Sequence, residues 1–289
     1  MFFVWCEKVI IVFSVVIFSF WAFGCAMLPD HFMVNGSCFS LGSYRGKTVD
    51  DLFTKIAKAN DKKAMLRFLD DAYIDVSTGQ SSYQRSASLS TTPLILSCIL
   101  DDEQVALSMV QFFLDCGADL NMRDRQKYHT PLYIAVQHGY KMVSQLLIKH
   151  GAHRFMVGGG GATILHAAAT SRICDKDILL FCLQQGVAID AVDSLGQTPL
   201  MLAIITKNIQ SALFLLAHGA NPSVQGGSLG TPLHYAVYAK NIDMINTLLA
   251  CGADCTIADG EIIRQTPLEL AQALGFVEIA NILKSFVKD

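Results

Sequence analysis

Residues 231–236 read Thr231-Pro232-Leu233-His234-Tyr235-Ala236, and the reading of this hexapeptide decides the fold. Threonine before proline marks a helix start. The hydroxyl accepts from an orphan amide of the first turn, and proline at the first helical position gives up an N–H that had no partner. Leu233 and Ala236 lie three apart, on one face of a short helix, where the small alanine lets a neighbouring helix approach. A break follows, then a second apolar run from Ile242 to Ala250. Gly252 takes the left-handed conformation that closes that second helix.

The same signals recur along the chain. Helix-start threonines stand at Thr92, Thr130, Thr198, Thr231 and Thr266, with a degenerate Thr163-Ile164-Leu165-His166 between the second and third. Their successive offsets are 38, 33, 35, 33 and 35 residues. A closing glycine follows each of the first five, at Gly117, Gly151, Gly186, Gly219 and Gly252, at distances of 25, 21, 23, 21 and 21. Two interlocked markers at near-constant spacing define a repeat. The unit resembles that of the ankyrin-repeat family, about 33 residues long with a T-P-L-H-x-A core. Thr231 to Ala236 match that core outright, and Thr163 to Ala168 depart only at the proline. The resemblance runs from about Thr48 to the carboxyl terminus.

The expected fold is therefore all-α: an ankyrin-type solenoid of helix-turn-helix units with projecting hairpin-like loops, preceded by one hydrophobic helix. One unit cannot bury its apolar face alone, so neighbours must stack. Seven units are expected, at 48–79, 91–122, 129–155, 162–191, 197–224, 230–257 and 265–289. The first, with Lys55, Lys58, Lys62, Lys63 and Arg67, and the last, which runs through Lys284 and Lys288, read as caps. Residues 77–91, with six serines and the single charge Arg85, read as an extended connection. The run Gly158–Gly161 lacks the preceding strand and helix-borne lysine of a phosphate cradle, and reads as a pliable tip with Phe155, Met156 and Val157 as a sticky contact before it.

Residues 1–28 differ from the rest. From Val9 to Leu28 there is no charge, a stretch of 20 residues, about the length of a membrane-crossing helix. Three readings stand side by side: a retained anchor, a cleaved signal peptide ending near Gly24-Cys25-Ala26, and a lipoprotein signal with Cys25 as the acylated residue. Residues 29–47 read as a linker. Lys8 is the nearest cation on one side, whereas Arg45 and Lys47 lie well beyond the other, so the side of the membrane stays open.

Composition narrows the function. Apolar residues make up 52% and charged residues 16%, which excludes wholesale disorder. The net charge of −3 gives no general attraction to nucleic acid, and none is expected as a partner. Nine cysteines fall mostly in apolar helical stretches without metal-ligand spacing, so no metal is expected. His150 and His218 precede closing glycines, where a cation suits the helix dipole. No nucleophile, base and acid stand together. A non-enzymatic scaffold or adaptor, without cofactor or small-molecule substrate, is the expected class.

The ankyrin resemblance implies hydrogen-bonding roles for His166 and His234, and partner binding on the concave side, formed by loop tips and first helices. On the loops this selects Arg123, Arg125, Lys127, Tyr128, Leu229, Glu261, Ile262 and Arg264; on the first helices, His138, Tyr235 and Tyr238, with Tyr235 equally suited to packing. Aromatic residues and arginine are the usual anchors of interfaces. Residues 9–28 add a membrane as a second partner. The competing expectation is a bacterial envelope lipoprotein, or a secreted effector acting on a host protein.

Overall fold

The computed structural model describes residues 31–34, 37–40, 49–71, 75–76, 91–124, 128–155, 158–171, 173, 175–227, 230–259 and 264–286. The hydrophobic segment 9–28, with Cys25, lies outside them, as does most of the serine-rich connection 77–91. No helix among the described residues is long and apolar enough to cross a membrane.

Fourteen helices among the described residues form seven pairs. They are α1 (Val49–Lys58) with α2 (Lys62–Asp71), α3 (Pro93–Cys98) with α4 (Glu103–Asp115), and α5 (Pro131–Gln137) with α6 (Lys141–Lys149). Then come α7 (Ile164–Ala169) with α8 (Lys176–Gln184), α9 (Pro199–Ile205) with α10 (Ile209–Ala217), α11 (Pro232–Tyr238) with α12 (Ile242–Ala250), and α13 (Pro267–Ala273) with α14 (Val277–Phe286).

The Thr-Pro starts follow the local chemistry of the sequence. Thr92, Thr130, Thr198 and Thr266 accept from the backbone N–H three residues on, at 3.2, 3.2, 3.3 and 3.3 Å, with proline next in line. The ends follow it too. Gly117, Gly151, Gly186, Gly219 and Gly252 have φ between 80° and 97°, and a Cβ there would meet nothing within 4 Å. Backbone handedness, not crowding, selects glycine at these ends. The alanines that follow at 118, 152, 220 and 253 donate back across the last turn at 2.9–3.0 Å and are buried, which explains the Gly-Ala pairing.

First helices stack on first helices from α1 to α13, forming one continuous inner rank. The outer rank packs from α4 to α10 with looser neighbour contact. Both ranks enclose a single apolar core that runs the length of the array, from Leu52 and Phe53 to Ile279 and Leu283. Cys98 and Cys182 are part of it. Burial pushes the Cys182 thiol up to about 12 and lifts Cys98 far above the usual thiol range, so both stay protonated and act as small apolar groups.

Two expectations change. The segment expected to be a plain linker carries two short strands, β1 (His31–Val34) and β2 (Ser37–Ser40), paired antiparallel with Val34 opposite Ser37, and β1 lies against α2. That register leaves two residues between the strands, and their sequence, Asn35-Gly36, is the dipeptide that two-residue hairpins favour. The glycine run 158–161 is the second correction. It forms a tight turn with Gly160 and Gly161 left-handed at φ 70° and 76°, tied to its neighbour where the Gly160 carbonyl accepts from Ser194 N of the next loop at 2.7 Å. A Cβ on Gly158 would stand 2.9 Å from the Tyr133 ring, and one on Gly161 would stand 3.1 Å from Ser194 N. Close approach of neighbouring loops requires glycine there.

Candidate binding face

The loops between units are closed at their necks by one repeated device. Asp124 N donates to the His129 carbonyl at 2.9 Å, and His129 N donates back to the Asp124 carboxylate at 3.0 Å. Asp193 with Gln197, and Asp259 with Gln265, repeat this exchange. At the other two necks glycine replaces the aspartate. Gly158 faces Tyr133, and a Cβ on Gly226 would overlap the Gly196 carbonyl oxygen.

Two necks are also tied to the inner rank. His166 Nδ1 accepts from Thr163 N at 3.0 Å, which leaves the proton on Nε2, facing the Gln197 carbonyl at 2.9 Å. His234 does the same between Thr231 N at 3.1 Å and the Gln265 carbonyl at 2.9 Å. Burial holds both imidazoles below the usual histidine value, partly opposed by the carbonyl bond and by Asp193 or Asp259. They are neutral connectors between one unit and the next loop. His218 has a local role: its Nδ1 lies 2.8 Å from the Phe214 carbonyl, with the ring stacked on Phe214 at 3.9 Å.

A further link runs between successive loops. His153 N donates to Asn121 Oδ1, Asn221 N to Asp190 Oδ1, and Asp254 N to Ser223 Oγ, at 3.0, 3.1 and 2.8 Å. The loops thus form a row whose spacing is held by backbone amides.

The proposed partner residues separate on this frame. Arg123 is exposed just before the first neck. Tyr128 is 60% exposed, and Arg264 is exposed at the matching place of the last loop. Both hold φ in the left-handed region, at 57° and 52°, where Gly161 and Gly196 stand in the shorter loops. Tyr238 is 44% exposed on the last turn of α11, and His138, half-buried, follows α5 with its ring 5.8 Å from that of Tyr140. Tyr235 is the exception. It is 2% exposed, and its hydroxyl, 3.2 Å from Gln197 Nε2, sits under the glycines of the 226–230 loop. It belongs to the core and not to the exposed face. Arg125, Lys127, Leu229, Glu261 and Ile262 lie outside the described residues.

Other residues join the face. Ile99 and Ile205 stand seven places after their capping threonines, as Tyr238 does, and Leu274 stands eight after Thr266; all are exposed. His138 and Thr170 stand at the matching places of the third and fourth units, and the exposed Lys207 and Lys240 follow two places after Ile205 and Tyr238. Leu195 projects from the loop before α9. Aligning the units would have found them. The place four after the threonine holds Leu96, Ile134, Ala167, Leu202, Tyr235 and Leu270, always apolar, whereas the place seven after it is mixed.

Among the described residues no group of three or more His, Cys, Asp or Glu is placed to hold a metal ion. Capped helix pairs in a linear stack, with a row of tied loops above them, define a repeat protein built to present a contact surface. The family model for ankyrin repeats in three copies matches residues 103–181 and 169–259, and the chain belongs to the ankyrin-repeat family. It is similar to the ankyrin repeat protein nuc-2 of Neurospora crassa, 32% identical over 147 residues, covering 48% of this chain and 14% of that protein. It is also similar to the putative ankyrin repeat protein FPV031 of fowlpox virus, 31% identical over 157 residues, covering 53% and 43%. The palmitoyltransferase AKR1 of Lachancea kluyveri is 29% identical over 99 residues, covering 34% and 13%. The chain spans less than half the length of each of these relatives.

Proposed function

We propose that this chain is a non-catalytic adaptor that holds a partner protein against the open end of its inner rank and the adjoining loops. The observation that carries the reading is the row Ile205, Tyr238 and Leu274. These are three exposed apolar side chains at the ends of consecutive inner helices, placed to cover apolar groups of a partner. Residues 9–28 support a membrane-proximal place of action, because 20 uncharged residues meet the length of a bilayer span.

A photo-crosslinking residue in place of Tyr238, in the full chain within its native cells, tests the contact. A discrete crosslinked protein is expected from position 238 and not from Lys284 on the outer rank. Equal products from both positions, or none from 238, would sink the reading. The alternative, an envelope lipoprotein or a secreted effector acting on a host protein, is favoured by Gly24-Cys25-Ala26. Mass spectrometry of the mature amino terminus separates the cases. Retained Met1 supports the anchor, lipidated Cys25 the lipoprotein, and a start at or after Ala26 the secreted form.

A further inference from the structure

The loop row is electrically uneven. Across the five loops between residues 117 and 266, lysine and arginine occur at 123, 125, 127, 154 and 264, so four of the five cations lie in the first two loops. The chain as a whole carries −3. Arg125 and Lys127 lie outside the described residues, and the site is built without them.

Two contacts set the first two loops side by side. His153 N reaches Asn121 Oδ1 at 3.0 Å, and farther along, Gly158 lies against the His129 ring, which a Cβ there would approach to 3.0 Å. Between these contacts the first loop presents Arg123, and the second presents Arg154 and Phe155, all exposed. Tyr128 stands beside the second contact. Arg154 lies 6.0 Å from the centroid of the Phe155 ring, which at 66% is the most exposed large aromatic among the described residues. Neither ion pair among the described residues, Lys58–Asp101 or Lys141–Asp177, uses these arginines. The first loop's two carboxylates keep their charge, but each is oriented by its own loop's backbone. Asp119 accepts from Asn121 N at 2.8 Å, and Asp124 accepts from His129 N.

We infer that this end of the loop row receives a segment of a partner protein rich in Asp and Glu and carrying an aromatic or aliphatic side chain between them. The inference rests on the adaptor reading and names the chemistry of its partner. Arg123 and Arg154 meet separate carboxylates, and Tyr128 and Phe155 cover the apolar side chain. A single phosphate fits less well. The cations stand on different loops, and the glycine N–H groups of 158 and 161 are spent on the Ala162 and Gly158 carbonyls. Nucleic acid fits less well still, since a site of that kind typically neutralises about 6–10 phosphates and two arginines do not supply that.

A random library of displayed 16-residue peptides, selected on the full chain held in mild detergent, tests the inference, with the Arg123→Glu/Arg154→Glu double variant as a parallel target. Both arginines are exposed, and circular dichroism checks that the variant keeps its helices. The expected result is enrichment of acidic peptides containing Phe, Leu or Ile. They should bind the variant roughly tenfold or more weakly at low salt, with the difference shrinking as salt rises. Enrichment of neutral or basic peptides, acidic peptides that bind the variant equally, or no enrichment would overturn the inference. So would stronger retention of single-stranded RNA or of phosphatidylserine vesicles than of the selected peptides. A crosslink from position 238 to a partner lacking an acidic segment would leave the adaptor reading standing while removing this one.

Discussion

His166 and His234 each spend both ring nitrogens on neutral contacts, one within the unit and one to the next loop. A buried imidazole held below its ordinary value binds a proton more weakly folded than unfolded. Its stabilising contribution is therefore complete above the unfolded value of about 6.5 and declines as pH falls below it. Urea midpoints should fall between pH 7 and pH 5. The His166→Gln/His234→Gln protein should show a shallower fall and, at pH 7, lose about 1–3 kcal/mol with its two carbonyl contacts. An unchanged pH slope in that variant would assign the acid sensitivity to other groups. Glycine 226 gives a second residue-level expectation. Gly226→Ala would drive a methyl into the Gly196 carbonyl, and a loss of about 1–3 kcal/mol in chemical unfolding is expected, as for overpacked positions.

At the scale of the helix pair, several of the turns between the two helices hold a left-handed residue. Gly139 and Gly275 supply it in the third and seventh units, while Lys207 and Lys240 hold it at 59° and 52° in the fifth and sixth. Lys240 regains part of the cost through its ammonium, 5.2 Å from the Phe276 ring centroid. Lys207 is exposed, with no ring contact of that kind among the described residues. Lys207→Gly should therefore stabilise the protein by about 0.5–1 kcal/mol, the left-handed strain relieved less the entropy glycine brings to the unfolded chain. Thermal unfolding of the single variant measures this, and a lower midpoint would contradict it. Tyr128 and Arg264 carry the same strain on the loops. Tyr128→Gly is expected to stabilise the fold while weakening partner capture, a divergence that strain kept for function would produce.

At the scale of the molecule the array is a line of neighbours, each unit covering the apolar face of the one before it. The last pair, α13 and α14, covers α11, whose Leu233, Tyr235 and Val237 are buried. Removing residues 265–289 also deletes the Gln265 carbonyl that His234 uses. The truncated chain should unfold at lower denaturant and bind a hydrophobic dye in its native buffer. A midpoint equal to that of the full chain would mean the last unit is an independent appendage and not a cap.

The repeat itself was legible because its signals are local. A threonine caps the amide three residues away, and a left-handed glycine ends its own helix, so spacing along the chain already determines the helix pairs and their stacking. The core registers were legible for the same reason. What the sequence left undecided depends on contacts made outside the helix itself, from 8 to 38 residues distant in the case of Tyr235. Tyr235 and Tyr238 are alike in type and three places apart, yet one is roofed by the loop that precedes its own helix and the other is open. The glycines at 158–161 read as slack, but they are close contacts between neighbouring loops, because the absence of a side chain looks the same whether it frees the backbone or admits another chain segment. The basic end of the loop row likewise emerged only when His153 and Asn121 set two loops side by side. The sequence by itself determined the unit and its repetition, and the tertiary structure decided which loop residues meet, since that is set by how one unit lies on the next.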